Sequence, residues 1–107
     1  MNIYIADRQT GKTTMLVKMS AETGAIIVVP TYPMIKYVED IAKDLGLEIP
    51  KPIDCFRFMR ELHSFARKRY LVDELQMVLD LMGIEAATLD VDSAWIGRVE
   101  SKGENEK

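Results

Sequence analysis

The run from Ala25 to Val29 (Ala-Ile-Ile-Val-Val) constrains the fold more than any other feature of the sequence. A continuous stretch of β-branched residues, with no polar residue between them, is typical of a strand that is buried on both faces. Strands of this kind belong to parallel sheets that carry helices on both sides. Because helical patterns precede and follow the run, the sequence predicts an α/β fold.

Hydrophobic periodicity predicts the other elements of this fold. We expect strands at residues 2–6, 25–29, 69–74 and 84–90, a short strand at 53–55, and helices at 12–22, 34–45, 56–68 and 75–82. The order of the first three elements predicts a right-handed βαβ unit. We therefore predict a three-layer αβα core with a mostly parallel sheet of four to five strands. It forms a single domain at residues 1–99, followed by a polar, disordered tail at 100–107.

Composition and charge exclude several classes of protein. The chain has 107 residues, of which 48% are hydrophobic, and this is enough for one domain with a real core. Its net charge of −3 does not support nucleic-acid binding that is driven by total charge. One cysteine and one histidine make an intrachain disulfide impossible and argue against a zinc site. The apolar runs are too short to span a bilayer and no signal-peptide pattern is present, so we expect a cytoplasmic protein without a membrane partner.

A loop between the first strand and the first helix carries the strongest chemical signal. It ends in Gly11-Lys12-Thr13-Thr14, the second half of the phosphate-binding pattern G-x-x-x-x-G-K-[ST], with Ala6 in the place of the first glycine. In this pattern the glycine lets backbone N–H groups face a phosphate, the lysine contacts the β- and γ-phosphates, and the hydroxyl holds Mg²⁺. The predicted nucleotide-binding residues of the loop are Asp7, Arg8, Gln9, Thr10, Gly11, Lys12, Thr13 and Thr14. The alternative is a surface turn that carries the pattern by chance.

A pair of acids, Asp73 and Glu74, ends the apolar strand predicted at 69–74. In an open parallel sheet, ligands bind at the carboxyl ends of the strands, so we expect this pair to lie near the loop. Asp73 is then a metal ligand opposite Thr13, and Glu74 can orient and deprotonate a water molecule that attacks the γ-phosphate. Glu74 and Lys12 are the predicted catalytic residues. The alternative is structural: Asp73 caps the next helix and Glu74 enriches its first turn.

Together these motifs resemble the P-loop NTPase superfamily, in the branch with a catalytic glutamate beside the strand aspartate. Pro30-Thr31 is similar to motif Ia of its helicases, which touches the nucleic-acid backbone. Asp73-Glu74-Leu75-Gln76 is similar to motif II of superfamily 1 helicases. The resemblance implies a P-loop core that uses ATP, or another nucleoside triphosphate, with Mg²⁺. It also implies that Gln76 senses the γ-phosphate or couples it to motion, and that Thr88 or Asp90, at the end of the fourth strand, is a polar sensor.

The resemblance implies a minimal helicase-like ATPase, of the kind found among small phage or mobile-element proteins, that acts in DNA processing. A helicase has two such cores, and the second supplies an arginine finger, whereas this chain has room for one. The finger would therefore come from a second subunit or a DNA-processing partner, and Arg98 is a candidate for a finger toward a neighbouring subunit. The alternatives are a degenerate P-loop module that acts through a protein partner without hydrolysis, and a nucleoside or nucleotide kinase.

One basic cluster remains outside these motifs. It consists of Arg57, Arg60, Arg67, Lys68 and Arg69, with Phe56, Phe58 and Phe65 among them. One interpretation is a face that contacts nucleic acid. The other is a solvated helix face whose aromatic residues belong to the core, and the helical spacing of the phenylalanines favours this one. Cys55 and His63 are expected to be structural residues of the same region.

Overall fold

The computed structural model describes residues 1–5, 11–62, 68–90 and 95–98. In chain order its elements are β1 (Asn2–Ile5), α1 (Lys12–Thr23), β2 (Ile26–Val29), α2 (Pro33–Asp44), β3 (Ile53–Asp54), α3 (Cys55–Glu61), β4 (Tyr70–Val72), α4 (Leu75–Leu81) and β5 (Trp95–Arg98). The chain divides into two compact units, residues 13–85 and residues 1–12 with 86–107. Among the described residues, none of the helices is long and apolar enough to cross a membrane.

The larger unit is built on a three-stranded parallel sheet in the order β3-β2-β4. The central strand, β2, contains the β-branched residues of the run from Ala25 to Val29. Ile27, Val28 and Val29 have no exposed surface, so burial on both faces is confirmed. Because β2 pairs in parallel with β3 and β4, the carboxyl ends of all three strands meet at one edge of the sheet.

Helices α1 and α2 supply the core that covers this sheet. The core cluster consists of Leu16, Val17, Ile27, Val29, Ile35, Val38 and Ala42. The predicted apolar stripe of α2 is confirmed, and Pro33 stands in the first turn of the helix, where its missing N–H is not needed. Gly46 follows the C-cap with a φ of +67°, a conformation that favours glycine and ends the helix.

The buried face of α1 is wider than the apolar spacing of its sequence predicts. Met15, Leu16 and Met19, which this spacing places on one stripe, all contribute to the core, with the two methionines partly buried against it. Val17 and Ser20 are buried as well. Ser20 can be buried because its hydroxyl donates a hydrogen bond of 2.6 Å to the carbonyl oxygen of Ala25, a contact that a hydrophobicity pattern does not reveal.

The smaller unit contains a two-stranded parallel sheet, in which β1 pairs with β5 from Asn2↔Trp95 to Ile5↔Arg98. The prediction of a strand at 84–90 is wrong, because these residues are exposed and have no regular structure. Their alanines and glutamate have low strand propensity, whereas β5 begins with a tryptophan and an isoleucine. The proposed sensor role requires a position at the end of a strand. Thr88 and Asp90 do not have such a position.

Two further points concern the predicted elements. Strand β1 pairs within the smaller unit and β2 within the larger one, so the βαβ unit stays a prediction. The described part of α3 ends at Glu61 rather than at residue 68, and Lys68 and Arg69 are not helical. Leu62, the C-cap residue of this helix, is 55% exposed, although its helical spacing from Phe58 places it on the same face. His63, Phe65 and Arg67 lie outside the described residues, as does the predicted tail.

The central strand provides a test of the packing. We expect Ile27→Val to lower the free energy of unfolding by about 1 kcal/mol, because it removes a methylene group from a fully buried site. The control is Ile26→Val, the same change at a half-buried neighbour in the same strand, which should cost less. Urea unfolding of both variants measures the difference. Equal losses would contradict the assignment of the buried face.

Candidate functional site

Gly11, the described end of the loop, and the start of α1 have the backbone that the sequence predicts. Helix α1 begins at Lys12, and Gly11 directly before it has a φ of +82°. This left-handed conformation is disfavoured for residues with a Cβ atom, so glycine is needed at this point in the chain. Thr13 and Thr14 follow in the first turn of α1, and both are half-buried. The other predicted loop residues, Asp7, Arg8, Gln9 and Thr10, lie outside the described residues.

The two predicted metal ligands are in direct contact. The hydroxyl Oγ1 of Thr13 donates a hydrogen bond of 2.8 Å to Oδ2 of Asp73, across 60 positions of sequence. Thr13 stands in the first turn of α1, and Asp73 directly follows β4 at the carboxyl edge of the three-stranded sheet. The loop motif and the strand motif, which were identified separately in the sequence, therefore converge at one point.

The spacing of these two oxygens is that of an ordinary hydroxyl–carboxylate hydrogen bond, and it is also compatible with two neighbouring ligands of one Mg²⁺ ion. Mg²⁺ binds oxygen at about 2.0–2.1 Å in octahedral geometry, so neighbouring ligand atoms lie about 2.9 Å apart. Among the described residues, no group of three or more His, Cys, Asp or Glu side chains could hold a metal ion by itself. Mg²⁺ does not require such a cage, because it is usually held by one or two carboxylates with substrate phosphates and water. The donor set is therefore suited to Mg²⁺ that arrives with a phosphate ligand.

The backbone holds Asp73 in place and argues against the capping alternative. The Asp73 N–H donates a 2.9 Å hydrogen bond to the carbonyl oxygen of Val28, which continues the pairing of β4 with β2. The N-cap residue of α4 is Glu74 rather than Asp73, and its side chain makes no capping hydrogen bond. Asp73 is also only 3% exposed. The N-cap position of α4 is therefore occupied by Glu74, and Asp73 is held by the pairing of β4 with β2.

Glu74 adopts an unusual backbone conformation between β4 and α4. Its φ and ψ are both +56°, and among the described residues it is the one residue other than glycine with a positive φ. Such a conformation costs roughly 1–3 kcal/mol and is enriched at functional sites. The strain falls on the residue that the sequence identifies as catalytic. Gln76, the predicted γ-phosphate sensor, is exposed in the first turn of α4.

The basic cluster is organised around a carboxylate that the sequence analysis missed. Oε1 of Glu61 lies 3.4 Å from Nε of Arg57 and 3.6 Å from Nζ of Lys68. Its Oε2 accepts a 2.9 Å hydrogen bond from the hydroxyl of Tyr70, whose ring packs edge-on against Phe58 at 4.9 Å. The i, i+4 spacing of Arg57 and Glu61 was the available signal for this cluster.

These contacts shift two pKa values. Burial acts to raise the pKa of Glu61, but the hydrogen bond from Tyr70 and the charges of Lys68 and Arg57 outweigh it, so this pKa is lowered. Burial raises the pKa of Tyr70, and its bond to the charged Glu61 raises it further. The charged carboxylate and the neutral phenol therefore stabilise each other and link α3 to β4.

Cys55 and the aromatic residues of the cluster are placed only partly as expected. Cys55 is fully buried, and its thiol donates a hydrogen bond of 3.1 Å to the carbonyl oxygen of Pro30. Burial raises the pKa of this thiol, and the nearby Asp54 adds to the effect. Cys55 is thus a core residue, as predicted. Phe58 is half-buried, but Phe56 is 53% exposed and does not belong to the core.

Strain at Glu74 can be tested by stability. Glu74→Gly removes the Cβ atom that disfavours this conformation, so we expect the free energy of unfolding to rise by up to about 1 kcal/mol. Gln76→Gly, the same change in an exposed turn of α4, should lower it by about 1 kcal/mol. Urea unfolding measures both variants. If Glu74→Gly and Gln76→Gly lowered the free energy of unfolding by similar amounts, the backbone of Glu74 would not be strained.

The Glu61 cluster predicts a dependence of stability on pH. Because the folded pKa lies below the ordinary value of 4.5, charged Glu61 stabilises the fold above that pH and loses this effect as the pH falls through its folded pKa. At neutral pH we expect Glu61→Gln to cost about 1 kcal/mol, and the deficit to shrink in acid. Denaturant unfolding across this pH range measures it. Two results would contradict the role of Glu61. One is a stability loss in Glu61→Gln that stays constant as the pH falls. The other is a loss of the same size when Glu61→Gln is made in a Tyr70→Phe background.

Comparisons with known proteins do not assign the chain to a protein family. No family model matches the sequence, and neither the curated proteins nor the solved structures include a significant match. The geometry of the site is therefore the basis for any statement about function.

Proposed function

We propose that this chain is a P-loop NTPase of the branch with a catalytic glutamate, and that it binds and hydrolyses ATP, or another nucleoside triphosphate, with Mg²⁺. The observation that carries the proposal is the 2.8 Å hydrogen bond from Thr13 to Asp73. A surface turn with a chance Gly-Lys-Thr sequence gives no reason for its threonine to meet a buried aspartate at the end of a distant strand. A shared metal site gives such a reason.

The proposal includes the finer architecture of a P-loop core with a mostly parallel sheet of four to five strands. Two observations support it. Every described strand pairs in parallel with its neighbours, in the three-stranded sheet and in the two-stranded sheet alike. In addition, the residues of the site follow a strand or begin a helix, which is where ligands of parallel α/β sheets bind.

Each residue has a separate role in this proposal. Backbone N–H groups at Gly11 and the side chain of Lys12 bind the β- and γ-phosphates, while Thr13 and Asp73 hold Mg²⁺. When bound, Mg²⁺ supplies positive charge that offsets the charge on the phosphate oxygens. Glu74 orients a water molecule and accepts its proton as the water oxygen bonds to the γ-phosphorus. The bond from that phosphorus to the bridging oxygen breaks, and the products are the diphosphate and inorganic phosphate.

The proposal also includes a cytoplasmic, helicase-like role in DNA processing. It is supported by the position of Pro30 and Thr31, which directly follow β2 at the same sheet edge as Asp73. Gln76, two residues after Glu74, lies in the first turn of α4. A contact between its side chain and the γ-phosphate would couple hydrolysis to the position of this helix. The arginine finger comes from a second subunit or from a DNA-processing partner, and a single-stranded DNA substrate therefore belongs in every assay of activity.

Phosphate release tests the enzymatic part of the proposal. We expect Lys12→Ala and Glu74→Gln each to lower the rate by about 10²-fold or more, because each removes a group that acts on the reacting phosphate or the attacking water. Glu74→Gln should retain nucleotide affinity, whereas Lys12→Ala should weaken it. Lys18→Ala, at an exposed position of the same helix, is the control and should leave the rate unchanged.

Calorimetric titration with ATP and Mg²⁺ separates this proposal from the non-hydrolysing binding module. Nucleotide binding without phosphate release, with DNA and any partner present, would remove the enzymatic part and leave the binding part. A folded protein that binds no nucleotide in the presence of Mg²⁺ would contradict the whole proposal.

A further inference from the structure

The outer side of α3 and the two residues before β4 form a basic surface that the proposed site does not use. We define the α3 basic surface as Phe56, Arg57, Arg60, Lys68 and Arg69, all of which are exposed. We propose that this surface binds single-stranded nucleic acid and that Glu61 is a built-in competitor that limits the binding. The inference rests on the proposed function only for its context in DNA processing, since it needs no nucleotide.

The charge of this surface is opposite to that of the whole protein. Arg57, Arg60, Lys68 and Arg69 contribute four positive charges and Glu61 one negative charge, which leaves +3 in a chain with a net charge of −3. The net charge of the chain therefore repels a polyanion, whereas the α3 basic surface attracts it. Such an arrangement gives a local contact rather than general adhesion to nucleic acid.

The geometry of Glu61 resembles that of a bound anion. Arg57 and Lys68 approach the same atom, Oε1, at 3.4 and 3.6 Å, so both cations converge on one oxygen. The Glu61 side chain is only 15% exposed and is held by Tyr70 through its other oxygen. The side chains of Arg57 and Lys68 are far more exposed, at 62% and 43%. A phosphate from solvent can therefore reach Arg57 and Lys68. It must compete for them with the Glu61 carboxylate, which Tyr70 holds in place.

Phe56 indicates a single strand rather than a duplex. Its ring is exposed at the start of α3, and Arg60 stands four residues later on the same helix face. An exposed aromatic ring beside cations lets unpaired bases stack while their phosphates are neutralised. In a duplex the base faces are already stacked on each other, so this ring would gain nothing. An acidic peptide would use the cations but has no bases to stack.

Fluorescence anisotropy with a labelled oligothymidylate of about 12 nucleotides, measured over a range of salt concentrations, tests the inference. For single strands, each phosphate contact adds about 0.7 to the slope of log K against log [salt]. Removing the competitor with Glu61→Gln should raise affinity about threefold or more and steepen the slope by up to about 1.4, because two cations are released. Arg60→Gln should weaken binding and reduce the slope by about 0.7.

Matched controls come from another ion pair of the same spacing. Lys36 and Asp40 form an exposed i, i+4 pair at 3.3 Å on α2. Asp40→Asn changes the net charge by the same amount as Glu61→Gln, and Lys36→Gln by the same amount as Arg60→Gln. Neither control should alter the salt slope. The side-chain amide that Glu61→Gln introduces can still accept the Tyr70 hydrogen bond, and thermal melting confirms that each variant is folded.

Four results would overturn the inference. The first is no binding of the single strand by the wild type or by Glu61→Gln. The second is an equal effect of Glu61→Gln and Asp40→Asn. The third is binding of duplex DNA or poly-glutamate as tight as that of the single strand. The fourth is single-strand binding that Phe56→Ala leaves unchanged. Calorimetry with ATP and Mg²⁺ on the same samples distinguishes failure of this inference from failure of the proposed function. Nucleotide binding without single-strand binding would overturn the inference and leave the proposed function intact.

Discussion

The contact between Thr13 and Asp73 is the constraint on which the account of this protein depends. Its origin can be followed through the packing. Helix α1 packs against β2 through Leu16 and Val17, and this fixes the first turn of the helix relative to the sheet. Strand β4 pairs with β2 from Ile26↔Tyr70 to Val28↔Val72, which brings its carboxyl end to the same edge. The hydroxyl and the carboxylate meet because both elements are built on one central strand.

The residues around this contact bear on the proposed function of the sheet edge. Burying a carboxylate costs free energy unless hydrogen bonds compensate for the lost water. Asp73 is almost fully buried, yet a hydrophobic residue at the end of β4 would avoid the cost entirely. The next residue adds backbone strain in an αL conformation. The Asp73 carboxylate is compensated in part by the hydrogen bond from Thr13. A buried carboxylate and a strained backbone in consecutive residues, at the edge where ligands of parallel sheets bind, support the proposed site.

Much of the larger unit could be predicted from the sequence because its signals are local. The buried run of β2, the amphipathic pattern of α2 and the acids after β4 each express one physical rule within a few residues. The convergence of Thr13 with Asp73 was also predicted, from the rule that ligands of parallel sheets bind at the carboxyl ends of the strands. In the structure it arises from the packing of α1 on β2, because β1 and β4 belong to different sheets. The left-handed backbone of Glu74 was not predictable, since it arises from the turn between β4 and α4 rather than from the residue itself.

The failures share a cause: they depend on contacts between distant residues. Strand β5 forms because β1 offers a pairing edge, and the stretch at 84–90 lacks such a partner, although its apolar pattern resembles a strand. Likewise, Ser20 is buried through a bond to Ala25, and Glu61 is fixed by Tyr70 from β4. Hydrophobic periodicity reports which residues are apolar, but it does not report which polar groups find partners inside the fold.

The central claim is that Thr13 and Asp73 act on one Mg²⁺ ion. A double-mutant cycle of Thr13→Val and Asp73→Asn on ATP affinity, measured by calorimetry with Mg²⁺ and again with a chelator, tests it most directly. The account predicts a coupling free energy of about 1 kcal/mol or more with Mg²⁺ that disappears with the chelator. Additive effects in the presence of Mg²⁺, or a coupling that the chelator leaves unchanged, would contradict it and reduce the contact to a structural hydrogen bond.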